Sequence, residues 1–232
     1  MKSTTKKKLQ KELEDEISWA LSHQKKIKGA VLKAPRKYEL LLEKQQEKLL
    51  NSGVGKGIFE LSRSCKDQVL FDLSEIKVAK GNLPAMPVIT KNLKSIPDLM
   101  ELLSGYNIEG MSDLNPLLIE DIGSSRGKYN NLFYYVYNVN LGKNLNRRSP
   151  LRAEEWVEFS GREPLNVEEA IVLCLHTSIL DRYHVVALGS VYGRVGTLSE
   201  VPVIKKIEDK IILTSIKRTY DGNRCTYPSK ER

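Results

Sequence analysis

The sequence predicts an α+β protein in which a basic helical N-terminal arm precedes a single domain built on a mixed or antiparallel sheet. Apolar residues recur at helical spacing in two segments near the N-terminus. An aromatic and β-branched run occupies residues 132–139, and strand patterns follow at about 184–188, 200–205 and 210–216. Because the chain has 232 residues, we expect one large domain, or one domain with an appendage.

Residues 1–52 form the predicted arm, which we expect to contain two helices. The first, at about 5–28, has a single apolar stripe and is expected to stop at Gly29. The second, at about 35–51, places Pro35 in its first turn. Because the join between them is short, the two helices should either form an antiparallel pair or pack on the main body.

Residues 53–232 form the predicted globular domain. Its first segment, Gly53–Gly57, lacks the glycine spacing and the Ser or Thr of a phosphate-binding loop, so we expect a flexible connector there. A strand is predicted near 86–89, followed by a short helix capped by Ser95. Residues 104–131 are punctuated by Gly, Asn, Asp and Ser and are expected to be mostly loop.

The second half of the domain has the clearest local signals. The run at 132–139 is apolar on both faces, which is typical of a central strand covered on two sides, and its tyrosines are expected to pack in the core. Ser149 and Pro150 begin a predicted helix. Asn166 and Glu169 have the spacing of a capping box before a nearly all-apolar helix, which we expect to be buried. The last, polar residues are expected to fray.

A recognisable motif lies between residues 163 and 190. It reads Glu163-Pro164-Leu165-Asn166-Val167-Glu168-Glu169-Ala170, then Leu175-His176, then Leu188-Gly189-Ser190. Further matching segments stand in the same order at Gly53–Leu61, Met86–Thr90 and Val201–Val203. The pattern resembles the uncharacterised bacterial family catalogued as domain of unknown function 5701, over most of residues 50–205. The resemblance implies the fold and a bacterial or phage context, and it implies no particular chemistry.

The net charge of +8 is unevenly distributed along the chain. Residues 1–60 hold 14 Lys and Arg against 8 Asp and Glu, whereas the remainder holds 23 against 21. Such a basic segment favours an anionic partner, either nucleic acid or an acidic protein, although a solvated helix that aids solubility would look the same. The candidate binding residues are the lysines Lys6, Lys7, Lys8, Lys25, Lys26 and Lys28.

Composition also excludes some classes of protein. No apolar run is long enough to span a membrane, and the N-terminus lacks the apolar core of a signal peptide, so we expect a cytoplasmic protein without a membrane partner. The cysteines and histidines show no metal-ligand spacing, and we therefore predict no metal site, no disulfide framework and no cofactor. These residues are Cys65, Cys174, Cys225, His23, His176 and His184.

The weak candidates for catalytic residues are His176, Ser190 and Arg194, which lie in or just after the motif. Cys174 stands two positions before His176, about 200° away on a helix, so the two should not form a nucleophile–base pair. Glu168 and Glu169 are adjacent on the predicted helix and should likewise point in different directions. Their negative charges are favourable at the N-terminus of a helix, which explains them without a catalytic role.

Three functions remain open at this point, and the sequence does not decide whether the protein is an enzyme. The leading hypothesis is a non-enzymatic binding or interaction protein whose basic arm contacts an anionic partner. The second is a hydrolase or nucleotide-acting enzyme with a pocket near His176, Ser190 and Arg194. The third is a phage or mobile-element accessory protein that forms homo-oligomers through its N-terminal helices, using the apolar stripe of residues 9–21.

Overall fold

The computed structural model describes residues 22–29, 31, 34–104, 109–121, 133–193, 200–220 and 223–231. It contains helices together with mixed and antiparallel sheets, which confirms the predicted α+β class. The helices are α1 (Arg36–Asn51), α2 (Lys56–Ser64), α3 (Lys66–Glu75), α4 (Ile96–Glu101), α5 (Pro150–Phe159) and α6 (Val167–His176). The strands are β1 (Leu83–Ile89), β2 (Glu109–Ser112), β3 (Ile119–Asp121), β4 (Phe133–Val139), β5 (Glu163–Pro164), β6 (His184–Val186), β7 (Ser190–Tyr192), β8 (Glu200–Ile207), β9 (Lys210–Lys217), β10 (Cys225–Thr226) and β11 (Ser229–Lys230).

The largest sheet is organised around β8. On one side, β8 pairs antiparallel with β9 along its whole length, and β2 continues the sheet parallel to β9. On the other side, β8 pairs antiparallel with both β6 and β7. Beyond these, β10 runs parallel to β6 and β3 runs antiparallel to β7. The strands predicted near 184–188, 200–205 and 210–216 are thus confirmed as β6, β8 and β9.

The predicted aromatic strand is confirmed as β4, but its place in the fold differs from the expectation. Among the named strands of the described residues, β4 pairs with β1 in an antiparallel two-stranded sheet. On its other edge, the Tyr137 carbonyl accepts from the Glu231 N–H of the C-terminal segment at 3.3 Å. Ala85 of β1 packs with Leu42 and Leu70 of α1 and α3, whereas its neighbour Met86 lies in the main core with α6. Because successive side chains of a strand point to opposite faces, helices cover this sheet on both sides. The tyrosines of β4 pack against these cores, as expected.

Helix α1 packs on the body, although its residues belong to the predicted arm. Leu42 and Leu49 are fully buried, and the Gln45 amide donates to the Ala85 carbonyl at 2.8 Å. Of the two arrangements expected for the arm, packing on the body is the one adopted by its second helix.

The first helix of the arm is described only near its end. Residues 22–29 are helical, and the predicted stop at Gly29 is wrong because Gly29 and Val31 are both in helical conformation. The His23 ring lies edge-on to the Phe71 ring of α3, with 5.4 Å between the ring centroids, so this stretch contacts the body. The remainder of the predicted helix, residues 5–21, lies outside the described residues.

Three expectations about loops need correction. Only the first part of Gly53–Gly57 is a connector, because Lys56 already begins α2. The expected loop at 104–131 contains β2 and β3, which form by pairing with β9 and β7 and have no clear strand pattern of their own. The last residues do not fray: they form β10 and β11, and Tyr227 between them is fully buried.

The predicted helix caps are confirmed. Ser95 and Asp98 form a capping box at α4, and Asn166 and Glu169 form one at α6. The Ser149 hydroxyl accepts from a backbone N–H in the first turn of α5. Local side-chain acceptors for helix N–H groups therefore mark these three helix starts. Among the described residues, no helix combines the length and apolarity needed to cross a membrane.

Candidate functional site

Helix α6 separates the candidate catalytic residues. The Ser190 hydroxyl is fully buried and accepts from the Val167 N–H at 2.9 Å, at the first residue of α6. His176 is the last residue of the same helix, about 14 Å away at 1.5 Å per residue. The two side chains therefore do not share one pocket. Arg194 lies outside the described residues.

His176 is poorly suited to acid–base catalysis. Both of its ring nitrogens are buried, and neither has a hydrogen-bond partner among the described residues. Burial, together with the positive charge of Lys48, lowers the pKa of His176 to about 3. An efficient general base has a pKa near the working pH, so this imidazole would stay neutral and weakly basic. Burial also raises the pKa of the Cys174 thiol, which keeps it protonated and unreactive.

The motif residues meet at the N-terminus of α6, where their contacts are structural. The Gly189 N–H donates to the Leu165 carbonyl at 2.8 Å. A Cβ atom at Gly189 would lie 2.8 Å from the Leu165 carbonyl carbon and 2.9 Å from the Asn166 nitrogen. Ser190 then binds the N–H of Val167. A glycine is needed after β6 because the backbone before α6 leaves no room for a side chain. A serine follows it because its hydroxyl accepts from the first N–H of α6.

The adjacent carboxylates of α6 bind different groups, as their positions on a helix require. Glu168 accepts from the Lys91 N–H at 3.0 Å. Glu169 is fully buried and accepts from the Tyr134 hydroxyl at 2.9 Å and from the Asn166 N–H at 3.1 Å. Because the two carboxylates diverge, they do not act on one substrate as a general acid and a general base.

Glu169 also binds the last strand. The Lys230 ammonium of β11 lies 3.0 Å from Glu169 and 3.6 Å from the Glu163 carboxylate, and the Lys230 side chain is 11% exposed. A charge pair removed from water in this way needs good geometry and further hydrogen bonds, which Tyr134 and Asn166 supply. Sequence analysis did not predict this ion pair, because no local pattern around a single lysine in a polar C-terminal segment indicates a buried carboxylate partner.

A second set of polar contacts holds β11 on the other side. The Arg162 guanidinium donates to the Ser229 hydroxyl at 3.0 Å, to the Ser229 carbonyl at 3.1 Å and to the Asn138 carbonyl. The Asn138 amide donates to the Glu231 carboxylate at 3.0 Å. These contacts, with the Lys230 pair, fix the C-terminal strand on the body and argue for a structural role of the whole buried polar cluster.

A surface pocket of about 290 Å³ opens beyond the other end of α6. It combines basic, hydroxyl and apolar side chains from two segments, one after β4 and one after α6. Its lining residues are Leu141, Lys143, Thr177, Ser178, Ile179, Asp181, Arg182 and Tyr183. Sequence analysis did not identify this pocket, because its two halves are more than thirty residues apart.

A larger cavity, of about 490 Å³, lies between α1 and the α2–α3 corner. Its charged groups are balanced: Lys66 and Arg63 face Glu43 and Asp67, and the Lys66 ammonium lies 3.0 Å from the Glu43 carboxylate. Cations that already have carboxylate partners are poor anchors for an anionic ligand.

The lysines of the helical stretch 22–29 all face solvent. In the helical stretch 22–29, His23 and Ile27 are half-buried, whereas the side chains of Lys25, Lys26 and Lys28 are exposed. Lys6, Lys7 and Lys8 lie outside the described residues. The acidic residues of the arm are not evenly distributed: residues 22–38 contain no Asp or Glu. Their basic residues are Lys25, Lys26, Lys28, Lys33, Arg36 and Lys37.

Within the described part of the chain, no three His, Cys, Asp or Glu side chains gather closely enough to hold a metal ion. The fold and these surfaces define an α+β protein with a docked basic segment and a deeply anchored C-terminal strand. No family model, no curated protein and no solved structure matches the chain.

Proposed function

We propose that this protein is a non-enzymatic binding protein whose basic N-terminal segment contacts an anionic partner, most simply the phosphate backbone of a nucleic acid in the cytoplasm. The observation that carries the proposal is the orientation of residues 22–29. His23 and Ile27 face the body, and Lys25, Lys26 and Lys28 face solvent together.

The residues that flank these lysines in the sequence add further positive charge. Arg36 and Lys37, at the start of α1, are also exposed, and no Asp or Glu occurs within residues 22–38. Each phosphate that a lysine neutralises releases a condensed counterion, so a cluster of this kind supports binding that weakens steeply with salt.

The enzyme hypothesis has less support. His176 and Ser190 lie at opposite ends of α6, and Glu169 is occupied by hydrogen bonds and an ion pair. Self-association through residues 9–21 stays a prediction, since those residues lie outside the described part of the chain.

The test is nucleic-acid binding by full-length variants across a salt series. In one variant, Lys25, Lys26 and Lys28 are replaced by glutamine. In the matched control, the exposed lysines Lys56, Lys77 and Lys80 are replaced instead, so that both variants lose the same charge. We expect the first variant to bind more weakly and to reduce the slope of log K against log salt by up to about 3. Equal effects of the two variants, or binding insensitive to salt, would contradict the proposal.

We also propose that the chain shares its core with the family catalogued as domain of unknown function 5701. The support is physical: Gly189 and Ser190 contact the Leu165–Val167 segment, so the separated parts of the motif form one packing unit. A structure of a family member would test this. The same glycine and serine should contact the start of the same helix, and a different arrangement there would reject the relationship.

A further inference from the structure

The pocket beyond α6 has unbalanced positive charge. Lys143 and Arg182 line it, both are exposed, and neither forms an ion pair with any described residue. Asp181 also lines the pocket, but its carboxylate lies 3.3 Å from the Lys206 ammonium. Two cations therefore face a cavity whose one carboxylate already has a partner.

The C-terminus of a helix carries partial negative charge, which would oppose an anion nearby. At the C-terminus of α6 this partial charge is offset by hydrogen-bond donors other than Lys143 and Arg182. The Lys48 ammonium donates to the Leu175 carbonyl at 3.4 Å, and the Thr177 hydroxyl donates to the Leu173 carbonyl at 2.8 Å. Lys143 and Arg182 are therefore not needed to cap the helix.

His184 follows the pocket residue Tyr183 in the chain and lies near two further cations. Burial, and then the positive charges of Lys205 and Arg224, lower the pKa of His184. His184 is therefore held towards its neutral form and adds no positive charge beside the pocket.

The rest of the pocket is suited to an organic group. Leu141, Ile179 and Tyr183 form an apolar wall, and the Ser178 hydroxyl supplies a polar partner. The Thr177 hydroxyl donates to the Leu173 carbonyl and is left as an acceptor. Its volume, about 290 Å³, is at the lower end of the range for ligand pockets. Arginine suits phosphate because its planar guanidinium can donate two parallel hydrogen bonds to phosphate oxygens.

We propose that this pocket binds a small organic phosphate, with the phosphate group between Lys143 and Arg182 and the organic group against Leu141, Ile179 and Tyr183. This site is independent of the basic N-terminal segment, and the fate of either proposal does not decide the other.

The experiment is calorimetric titration of the full-length protein with adenosine 5′-monophosphate, glucose 6-phosphate and inorganic phosphate, each organic phosphate beside its unphosphorylated counterpart. We expect at least one organic phosphate to bind more tightly than inorganic phosphate, and adenosine or glucose to bind at least about tenfold more weakly than the corresponding phosphate. Absence of binding by all three phosphates at millimolar concentration would overturn the proposal.

Variants locate the site. Arg182→Gln and Lys143→Gln should each weaken binding about tenfold, the change expected on losing one charge-assisted hydrogen bond. Arg63→Gln, in the charge-balanced cavity, is the matched control and should leave binding unchanged. Because Lys143 and Arg182 are exposed and unpaired among the described residues, these variants should keep the wild-type circular dichroism spectrum and melting curve.

The remaining outcomes separate the two proposals. If the phosphate ligand is lost in the Lys25/Lys26/Lys28 glutamine variant and retained in Arg182→Gln, it binds the N-terminal segment and the pocket proposal is wrong. If an oligonucleotide binds normally while Arg182→Gln abolishes binding of the small phosphate, the pocket proposal holds on its own.

Discussion

Gly189 lies between β6 and β7 and packs against the backbone that leads into α6. Its N–H donates to the Leu165 carbonyl, and its α-carbon faces the Leu165–Asn166 backbone so closely that no side chain fits. Backbone atoms cannot move aside as the end of a flexible side chain can. The residue is therefore constrained by packing, and the motif that contains it is explained without any catalytic role.

Replacing Gly189 by alanine should destabilise the protein by about 1–3 kcal/mol, the usual range for overpacking a core. The control is Gly57→Ala, since a Cβ atom there meets nothing within 4 Å and the position lies in α2. Alanine at that site should be neutral or stabilising by up to about 1 kcal/mol. The measurement is the free energy of unfolding in urea, and similar losses in the two variants would contradict this explanation.

His176 should make the stability depend on pH. Its pKa is about 3 in the folded protein, against roughly 6.5 in an unfolded chain. Between these values the unfolded chain binds a proton that the folded protein does not, so the free energy of unfolding falls as the pH drops below about 6.5. One such group contributes at most about 1.4 kcal/mol per pH unit.

The measurement is urea unfolding of the wild type and of His176→Leu between pH 5 and pH 7. The variant should show the smaller slope, with a residual slope from His184, whose pKa is also lowered by burial and by neighbouring cations. Parallel curves would show that His176 is protonated equally in the folded and unfolded states.

At the scale of elements, β11 shows how a very short strand becomes a fixed part of the fold. It has two residues, Ser229 and Lys230, and pairs antiparallel with β5. Its side chains bind Glu169 and Glu163 on one hand and Arg162 on the other. The pairing with β5, the ion pairs of Lys230 and the hydrogen bond from Arg162 together take the place of the long hydrogen-bonded ladder that stabilises an ordinary strand.

Lys230→Met should cost about 3–5 kcal/mol, because it leaves the buried Glu169 without its counterion. The double variant with Glu169→Gln should recover part of that loss. The control is Lys66→Met, which breaks the exposed pair with Glu43 and should cost less than about 1 kcal/mol. Chemical unfolding of the wild type, the single variants Lys230→Met and Glu169→Gln, and the double variant gives the coupling energy. A coupling near zero would mean that the Lys230 pair does not hold the strand.

Helices with a side-chain cap were more predictable than short strands, and the reason is local. The uncapped helices α2 and α3 were not predicted as helices. The caps of α4, α5 and α6 involve residues at most three positions apart, so the spacing of Ser95, Ser149 and Asn166 from the following N–H groups was sufficient. By contrast, β2 and β3 exist because β9 and β7 lie beside them. Nothing within 104–131 specifies those partners.

At the scale of the molecule, α1 belongs to the hydrophobic core. Leu49 lies in the main cluster with α6 and β1, and Leu42 lies in a second cluster with α3. The helix is therefore both the end of the predicted arm and a part of the body, and the N-terminal segment can be studied separately only upstream of it.

Two truncations test this arrangement. A chain that begins at residue 34 keeps α1 and should unfold in one cooperative transition near that of the full protein. A chain that begins at residue 53 loses two fully buried leucines, each worth about 2–5 kcal/mol, and should lose cooperative unfolding. Circular dichroism during urea titration distinguishes them, and equal stability of the two chains would show that α1 is peripheral.

The sequence by itself determined the α+β class, the helix caps, the main strands and the concentration of positive charge near the N-terminus, because each depends on composition or on residues a few positions apart. Only the tertiary structure decided that β4 pairs with β1 in a sheet of its own, that His176 and Ser190 lie at opposite ends of α6, and that Lys143 and Arg182 share a pocket. The Lys230–Glu169 pair joins residues 61 positions apart. Such contacts depend on how the chain folds back on itself, and a linear pattern does not specify them.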